Sequence, residues 1–191
     1  FINDCCSMSI YLIRHTEVDV PKGTCYGQKD VPLKKNAEKE FAKLKRLLPK
    51  SYDVVYSSPS QRCTQLAQFL DPNFKTEKAL LELNFGDWEG MLWQDIPEHE
   101  LKIWGENFVT EKPPKGENLL ELFERTSQFF DKLRMYDHHD IVIVTHAGVI
   151  RCMIAYMLQI PLENIFKIQV GFGKVYKFDL KDDSQMDQWF I

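Results

Sequence analysis

Ser9-Ile10-Tyr11-Leu12-Ile13-Arg14-His15-Thr16 is the stretch that decides the fold. Ile10, Tyr11, Leu12 and Ile13 form an apolar run of β-formers without polar alternation. Such a run predicts a strand buried on both faces, as in a parallel sheet. It stops at Arg14-His15, and a cation beside a titratable ring is costly to bury without purpose. In open α/β sheets the ligand crevice lies at the carboxyl ends of the strands. An arginine and a histidine that merely begin a surface loop is the plain alternative, and the rest of the chain bears on the choice.

Two further segments repeat the pattern. Asp53-Val54-Val55-Tyr56-Ser57 predicts a second strand, followed by Ser58-Pro59 as a helix start, with a hydroxyl cap and a proline at the first helical position. Arg62 then falls in the first turn of a helix over 60–70, at the same sheet edge as His15. The free amides and positive dipole end of that helix make an anion site, and an arginine there opposes the dipole. Ile141-Val142-Ile143-Val144-Thr145 is the clearest buried strand. It ends at His146-Ala147-Gly148, from which a helix runs on through Val149, Ile150, Ile154 and Leu158. A second histidine placed as His15 is, at the end of another strand, favours a shared site.

Between these strands, residues 17–31 form a long loop carrying Pro21, Gly23 and Gly27, and long loops in compact domains are commonly functional. Tyr26-Gly27 lets backbone come close to a ligand, while Lys22 and Lys29 read as ordinary solvated lysines. A helix follows, with Leu33, Ala37, Phe41, Leu44 and Leu48 on one face and Pro49 ending it. Glu82 interrupts an apolar run; a carboxyl there can pass a proton to a leaving group, or it can pair with Arg62 or Arg14. Residues 91–111 predict two irregular helical pieces broken by Pro97, with Trp93, Ile103, Trp104 and Phe108 as apolar anchors. With the connector 112–116, this insertion reads as a lid over the sheet edge. A long amphipathic helix is predicted over 119–135, a hairpin over 168–180 around Gly171-Phe172-Gly173-Lys174, and a mostly polar tail that Trp189-Phe190 holds down.

Composition narrows the classes. The 191 residues suit one α/β domain with a full core. Hydrophobic residues make up 44%, and no stretch approaches a membrane span. A formal charge of −4 argues against a general nucleic-acid binder, so an anionic ligand must be met by a local cluster of positive groups. The five cysteines are odd in number and lack zinc-type pairing, which predicts free thiols in a reducing cytoplasm. The first seven residues are too short, and lack the basic start, for a signal peptide. The expected division is an extension over 1–8 outside the fold and one domain over 9–191, with the insertion at about 84–117.

Arg14-His15-Thr16, Ser58-Pro59 with Arg62, Glu82 shortly before Phe85-Gly86-Asp87-Trp88-Glu89-Gly90, and Thr145-His146-Ala147-Gly148 together resemble the histidine phosphatase (phosphoglycerate mutase-like) superfamily, over nearly the whole chain. Threonine at 16, where glycine is commonest, and the run Gly23-Thr24-Cys25-Tyr26-Gly27-Gln28-Lys29-Asp30-Val31-Pro32-Leu33 resemble its alpha-ribazole phosphatase branch. The resemblance implies a three-layer α/β/α fold with a mostly parallel central sheet and a helical lid. It implies a phosphomonoester hydrolase in which His15 carries a transient phosphoryl group, Arg14, Arg62 and His146 surround the phosphoryl oxygens, and Glu82 serves the leaving group. Thr16, Tyr26, Gly27 and Ala147 are implied as phosphate or substrate contacts.

No metal and no cofactor is implied, because fixed cations do the neutralising. The implied partner is a small phosphomonoester, alpha-ribazole 5′-phosphate or adenosylcobalamin 5′-phosphate in cobalamin assembly, with no nucleic acid or membrane partner and a monomer or homodimer as the assembly. A phosphoglycerate mutase or broad sugar-phosphate phosphatase is the second expectation. The compact insertion and short tail argue against the mutase. A catalytically dead module that binds a phosphorylated ligand is the third, and the intact core positions argue against it.

Overall fold

In the computed structural model, which describes residues 8–181 and 183–190, the chain forms a six-stranded sheet with helices on both faces. Strands β1 (Met8–Arg14), β2 (Val54–Ser57), β3 (Lys75–Thr76) and β4 (Asp140–Thr145) run parallel; β5 (Val175–Leu180) and β6 (Gln188–Phe190) close one edge antiparallel. The order is β3-β2-β4-β1-β5-β6. Helices α1 (Ala37–Lys45) and α2 (Gln61–Leu70) cover one face; α4 (Leu119–Leu133) and α5 (Ala147–Met157) cover the other. The insertion carries α3 (Glu98–Asn107).

The alternation of side chains along each strand sorts the core into two layers. Ile10 and Leu12 of β1 and Ile141 and Ile143 of β4 pack with Phe130, Leu133 and α5. Ile13, Val142 and Val144 point the other way, onto Phe41, Leu44 and Leu66. Both faces of the central strands are therefore buried, as their unbroken apolar runs predict. Register then does the positioning. The amide of His15 donates to Thr145 O at 3.0 Å and that of Ser58 to Val144 O at 2.9 Å, so the ends of β1, β2 and β4 lie side by side.

Several boundaries differ from the sequence expectation. Met8, assigned to the extension, is the first residue of β1 and is buried, since it pairs with Leu180; residues 1–7 lie outside the described residues. Leu33 precedes α1 and bridges Val18 instead, so the loop after β1 folds back as a short ribbon. The hairpin expected over 168–180 does not form. β5 pairs with β1 and with the tail strand β6, where Trp189 stacks on Phe178, because the polar tail still alternates enough to complete an edge. Ile103 is half exposed and no anchor; Trp88, Cys25 and Ile96 make the insertion's own small core.

Thr145 ties the sheet to the segment that carries Glu82: its buried hydroxyl donates to Leu80 O at 2.7 Å. Replacing it by the isosteric valine leaves that carbonyl unpaired. Thr145→Val should cost about 1–3 kcal/mol, read from the urea midpoint at unchanged m-value.

Candidate active site

His15 stands at the tip of β1, 2% exposed. Its Nδ1 lies 2.8 Å from the carbonyl of Thr16, an acceptor, so Nδ1 bears the hydrogen and Nε2 is left with its lone pair. Burial pulls its pKa down to about 3, the charge of Arg62 adding to the fall and that of Arg14 adding less, while the Thr16 carbonyl pulls the other way. The ring is neutral at any physiological pH. Arg14 lies over the ring of Phe172, 3.5 Å from its centroid, and donates from Nη1 to Val170 O at 2.6 Å. Both partners come from the loop before β5, where the glycines around Phe172 predict a hairpin that does not form. The amide of Gly173 closes on the carbonyls of Arg14 and His15, at 3.2 Å each.

Arg62 is wholly buried. Its Nη1 donates to Lys29 O at 2.9 Å, its Nη2 to Gly27 O at 2.5 Å, and Nη2 also faces His146 Nδ1 at 3.2 Å. Tyr26 lies under the guanidinium at 5.2 Å, and burial pushes its phenol above the ordinary range. His146, also wholly buried, has its ring centroid 5.2 Å from that of His15, and its Nε2 reaches the hydroxyl of Ser58 at 2.7 Å. Burial and the neighbouring arginines hold its pKa well below the ordinary range. Both of its nitrogens are thus committed inside the protein, not turned to the phosphoryl position that the motif implies. Ser58 makes no helix cap, and α2 starts two residues later than Pro59. The first amide of α2, expected to face an anion, is taken by Asp30 at 2.8 Å.

Glu82 is half-buried at the cavity wall. Its two carboxylate oxygens accept from the amides of Leu83 at 3.0 Å and Gly148 at 3.1 Å, and no arginine of the described residues lies within ion-pair distance. Gly148 lets the carboxylate come this close, since a Cβ on it would meet Glu82 Oε1 at 2.2 Å and force the Glu82 side chain to shift. Arg125, paired with Glu117, and Gln28 both donate to the Glu82 carbonyl, at 3.1 and 3.0 Å. Glu89 is spent on structure: it accepts from the amides of Gln28, Lys29 and Phe85. Gly27, with φ +34°, packs where a Cβ would strike Glu89.

A cavity of about 600 Å³ opens over His15. Arg14, His15, Tyr26, Gly27, Glu82 and Ala147 line it. Arg62 and His146 lie behind His15, and Thr16 faces a separate small hollow beside Asn36 and Glu40. Thr16 meets His15 through its carbonyl alone. Phe85, Trp93, Trp104, Phe108 and Phe166 form the outer wall, so most aromatics of the insertion do meet the cavity. Arg151 joins that wall, its Nε donating to Ile168 O at 2.9 Å. Ser58, Phe172, Arg125 and Arg151 escaped sequence reasoning; only the serine stood inside a motif. Among the described residues no group of three or more His, Cys, Asp or Glu side chains is placed to hold a metal ion.

A family model described as the histidine phosphatase superfamily (branch 1) matches residues 10–190. The adenosylcobalamin/alpha-ribazole phosphatase of Escherichia coli is 27% identical over 176 residues, 87% of each chain. Phosphoserine phosphatase 1 of Hydrogenobacter thermophilus is 25% identical, over 83% of this chain and 80% of its own. The crystal structure of the alpha-ribazole phosphatase from Shigella flexneri superposes with a TM-score of 0.87 at 25% identity, covering 96% of this chain and 95% of the other.

The buried neutral imidazoles set a pH dependence of stability. An unfolded His15 takes up its proton near 6.5, whereas the folded one holds out to about 3. The unfolded state therefore binds more protons in between, and stability is complete above about pH 6.5 and falls as the pH drops towards 3. His146 acts in the same sense. The urea midpoint should decline from about pH 6.5 to about pH 5, and His15→Asn should make that decline shallower.

Proposed function

Because this chain belongs to the histidine phosphatase superfamily and is a phosphoric monoester hydrolase, we propose that its substrate is a phosphate ester with a broad aromatic base, alpha-ribazole 5′-phosphate above all. The aromatic wall beyond His15 carries this reading. About 600 Å³ of largely apolar cavity with an aromatic outer wall is the size that takes up a drug-sized ligand, and stacking rewards a planar ring system. A corrinoid phosphate would leave its macrocycle outside such a space, which favours the free nucleotide. Similarity to the Escherichia coli relative points the same way.

In the proposed reaction, His15 Nε2 attacks phosphorus, the N–P bond forms, and the P–O bond to the leaving alcohol breaks. Glu82 gives that oxygen its proton. Glu82 then takes a proton from water, whose oxygen attacks phosphorus, and the N–P bond breaks to release phosphate and restore His15. Arg14 and Arg62 each keep a buried Nε–H without a partner among the described residues. Unspent donors of this kind beside His15 suit the oxygens of a transferring phosphoryl group, where charge spreads in the transition state. Three buried free thiols, Cys25, Cys63 and Cys152, accord with a cytoplasmic setting.

A second reading is a small phospho-amino acid. Arg151 favours it, since a cation on the cavity wall can receive a carboxylate. Phosphate release from alpha-ribazole 5′-phosphate, phosphoserine, 3-phosphoglycerate and an aryl phosphate separates the two. We expect kcat/KM for the ribazole ester to exceed that for phosphoserine about tenfold or more; the reverse order selects the amino acid.

His15→Ala should abolish turnover and acid-labile phosphate on the protein, and residual activity within tenfold of wild type contradicts the nucleophile role. Glu82→Gln should slow esters with poor leaving groups about 10²-fold while sparing aryl phosphates, which need little protonation. Equal losses on both substrates move the acid role elsewhere.

A further inference from the structure

We infer that Ser58 is a positioning residue for the phosphoryl transfer proposed above, its hydroxyl selecting the tautomer of His146 and thereby the seat of Arg62. A guanidinium only donates hydrogen bonds, so the His146 Nδ1 that faces Arg62 Nη2 at 3.2 Å must present its lone pair. A neutral imidazole then carries its one hydrogen on Nε2. The atom across from Nε2, at 2.7 Å, is Ser58 Oγ, which accepts it. Ser58 is wholly buried, and its amide is bound to Val144 O, so the sheet holds the acceptor in place. Its remaining contacts, to the amide and hydroxyl of Ser60, are both long at 3.4 Å. The neighbouring Ser57 spends its hydroxyl on a backbone carbonyl, at 2.8 Å. Ser58 does not: its one short bond goes to the histidine.

Removing the hydroxyl leaves Nε2 with the thiol of Cys63 at 3.6 Å, a weak acceptor. The Nδ1–H tautomer then becomes accessible, and it sets N–H against N–H at Arg62. Arg62 would lose one of its three buried partners, and the two histidine rings are only 5.2 Å apart. A shift of this guanidinium reaches the nucleophile directly, because Arg62 is the largest charge acting on His15.

The ¹⁵N spectrum of histidine-labelled full-length protein tests this without substrate. Wild type should show His146 protonated on Nε2 and bare on Nδ1. Ser58→Ala should show a tautomer mixture, with kcat on an aryl phosphate down roughly 10²-fold and KM nearly unchanged. Ser58→Thr, which keeps the hydroxyl, should restore both. A wild-type His146 protonated on Nδ1 overturns the inference. So does Ser58→Ala with the wild-type tautomer, or with kcat within about twofold of wild type. If the alanine variant does not fold, the wild-type spectrum and the threonine variant still decide. Turnover that survives His15→Ala would instead defeat the hydrolase mechanism, and leaves the tautomer result standing.

Discussion

A guanidinium with no exposure to water stands at the centre of this molecule. Moving such a charge out of solvent costs several kcal/mol, and a buried cation persists only where its donors are met. The Nη groups of Arg62 are met by two loop carbonyls, Gly27 and Lys29, and by the imidazole of His146, while its Nε–H stays without a partner among the described residues. Its charge then does two things. It adds to the burial that keeps His15 neutral, and it gathers three distant parts of the chain around the ends of β1, β2 and β4. Arg14 adds a second cation, held from the opposite side by Val170 and by the face of Phe172.

The carbonyls that hold Arg62 are themselves held. Glu89 grips the amides of Gln28 and Lys29, and the loop's Cys25 and Gly23 exchange backbone hydrogen bonds with Gly90, Met91 and Trp93. The insertion that supplies the aromatic wall is therefore stitched to the loop that seats the arginine. The aromatic outer wall and the charge placed beside His15 share one scaffold. At Gly27 in the loop, and at Gly148 on α5 beside it, a carboxylate occupies the space of a β-carbon.

His15, Arg14 and His146 were legible as candidates because buried strands ending in polar residues have few innocent explanations, and Arg62 because an arginine in the first turn of a helix opposes the dipole. The main helices and the central strands followed from period, while boundaries moved at Met8 and Leu33, and at the closing edge the expected hairpin gave way to β5 paired with β1 and with the tail strand β6. What hid was of another kind. Ser58 looked like a cap, since a serine before proline and a helix is locally sufficient for one. Phe172 looked like part of a turn, since flanking glycines suggest a bend whatever the aromatic between them does. Arg151 drew no reading, since nothing local to its helix shows which wall it reaches.

The order of residues by itself determined which strands are buried, where each ends, and that cationic and titratable groups stand at those ends, because hydrophobic periodicity and local stereochemistry act over a few residues. Only the tertiary structure decided which partner each polar atom takes. Whether His146 turns to a ligand or to Ser58, whether Glu89 moves protons or pins a loop, and which side of His15 opens on the cavity all depend on atoms brought together from 60 to 90 positions apart. Hydrogen bonds act over about 3 Å and along defined directions. No local pattern can assign them until the sheet register and the packing have set those distances.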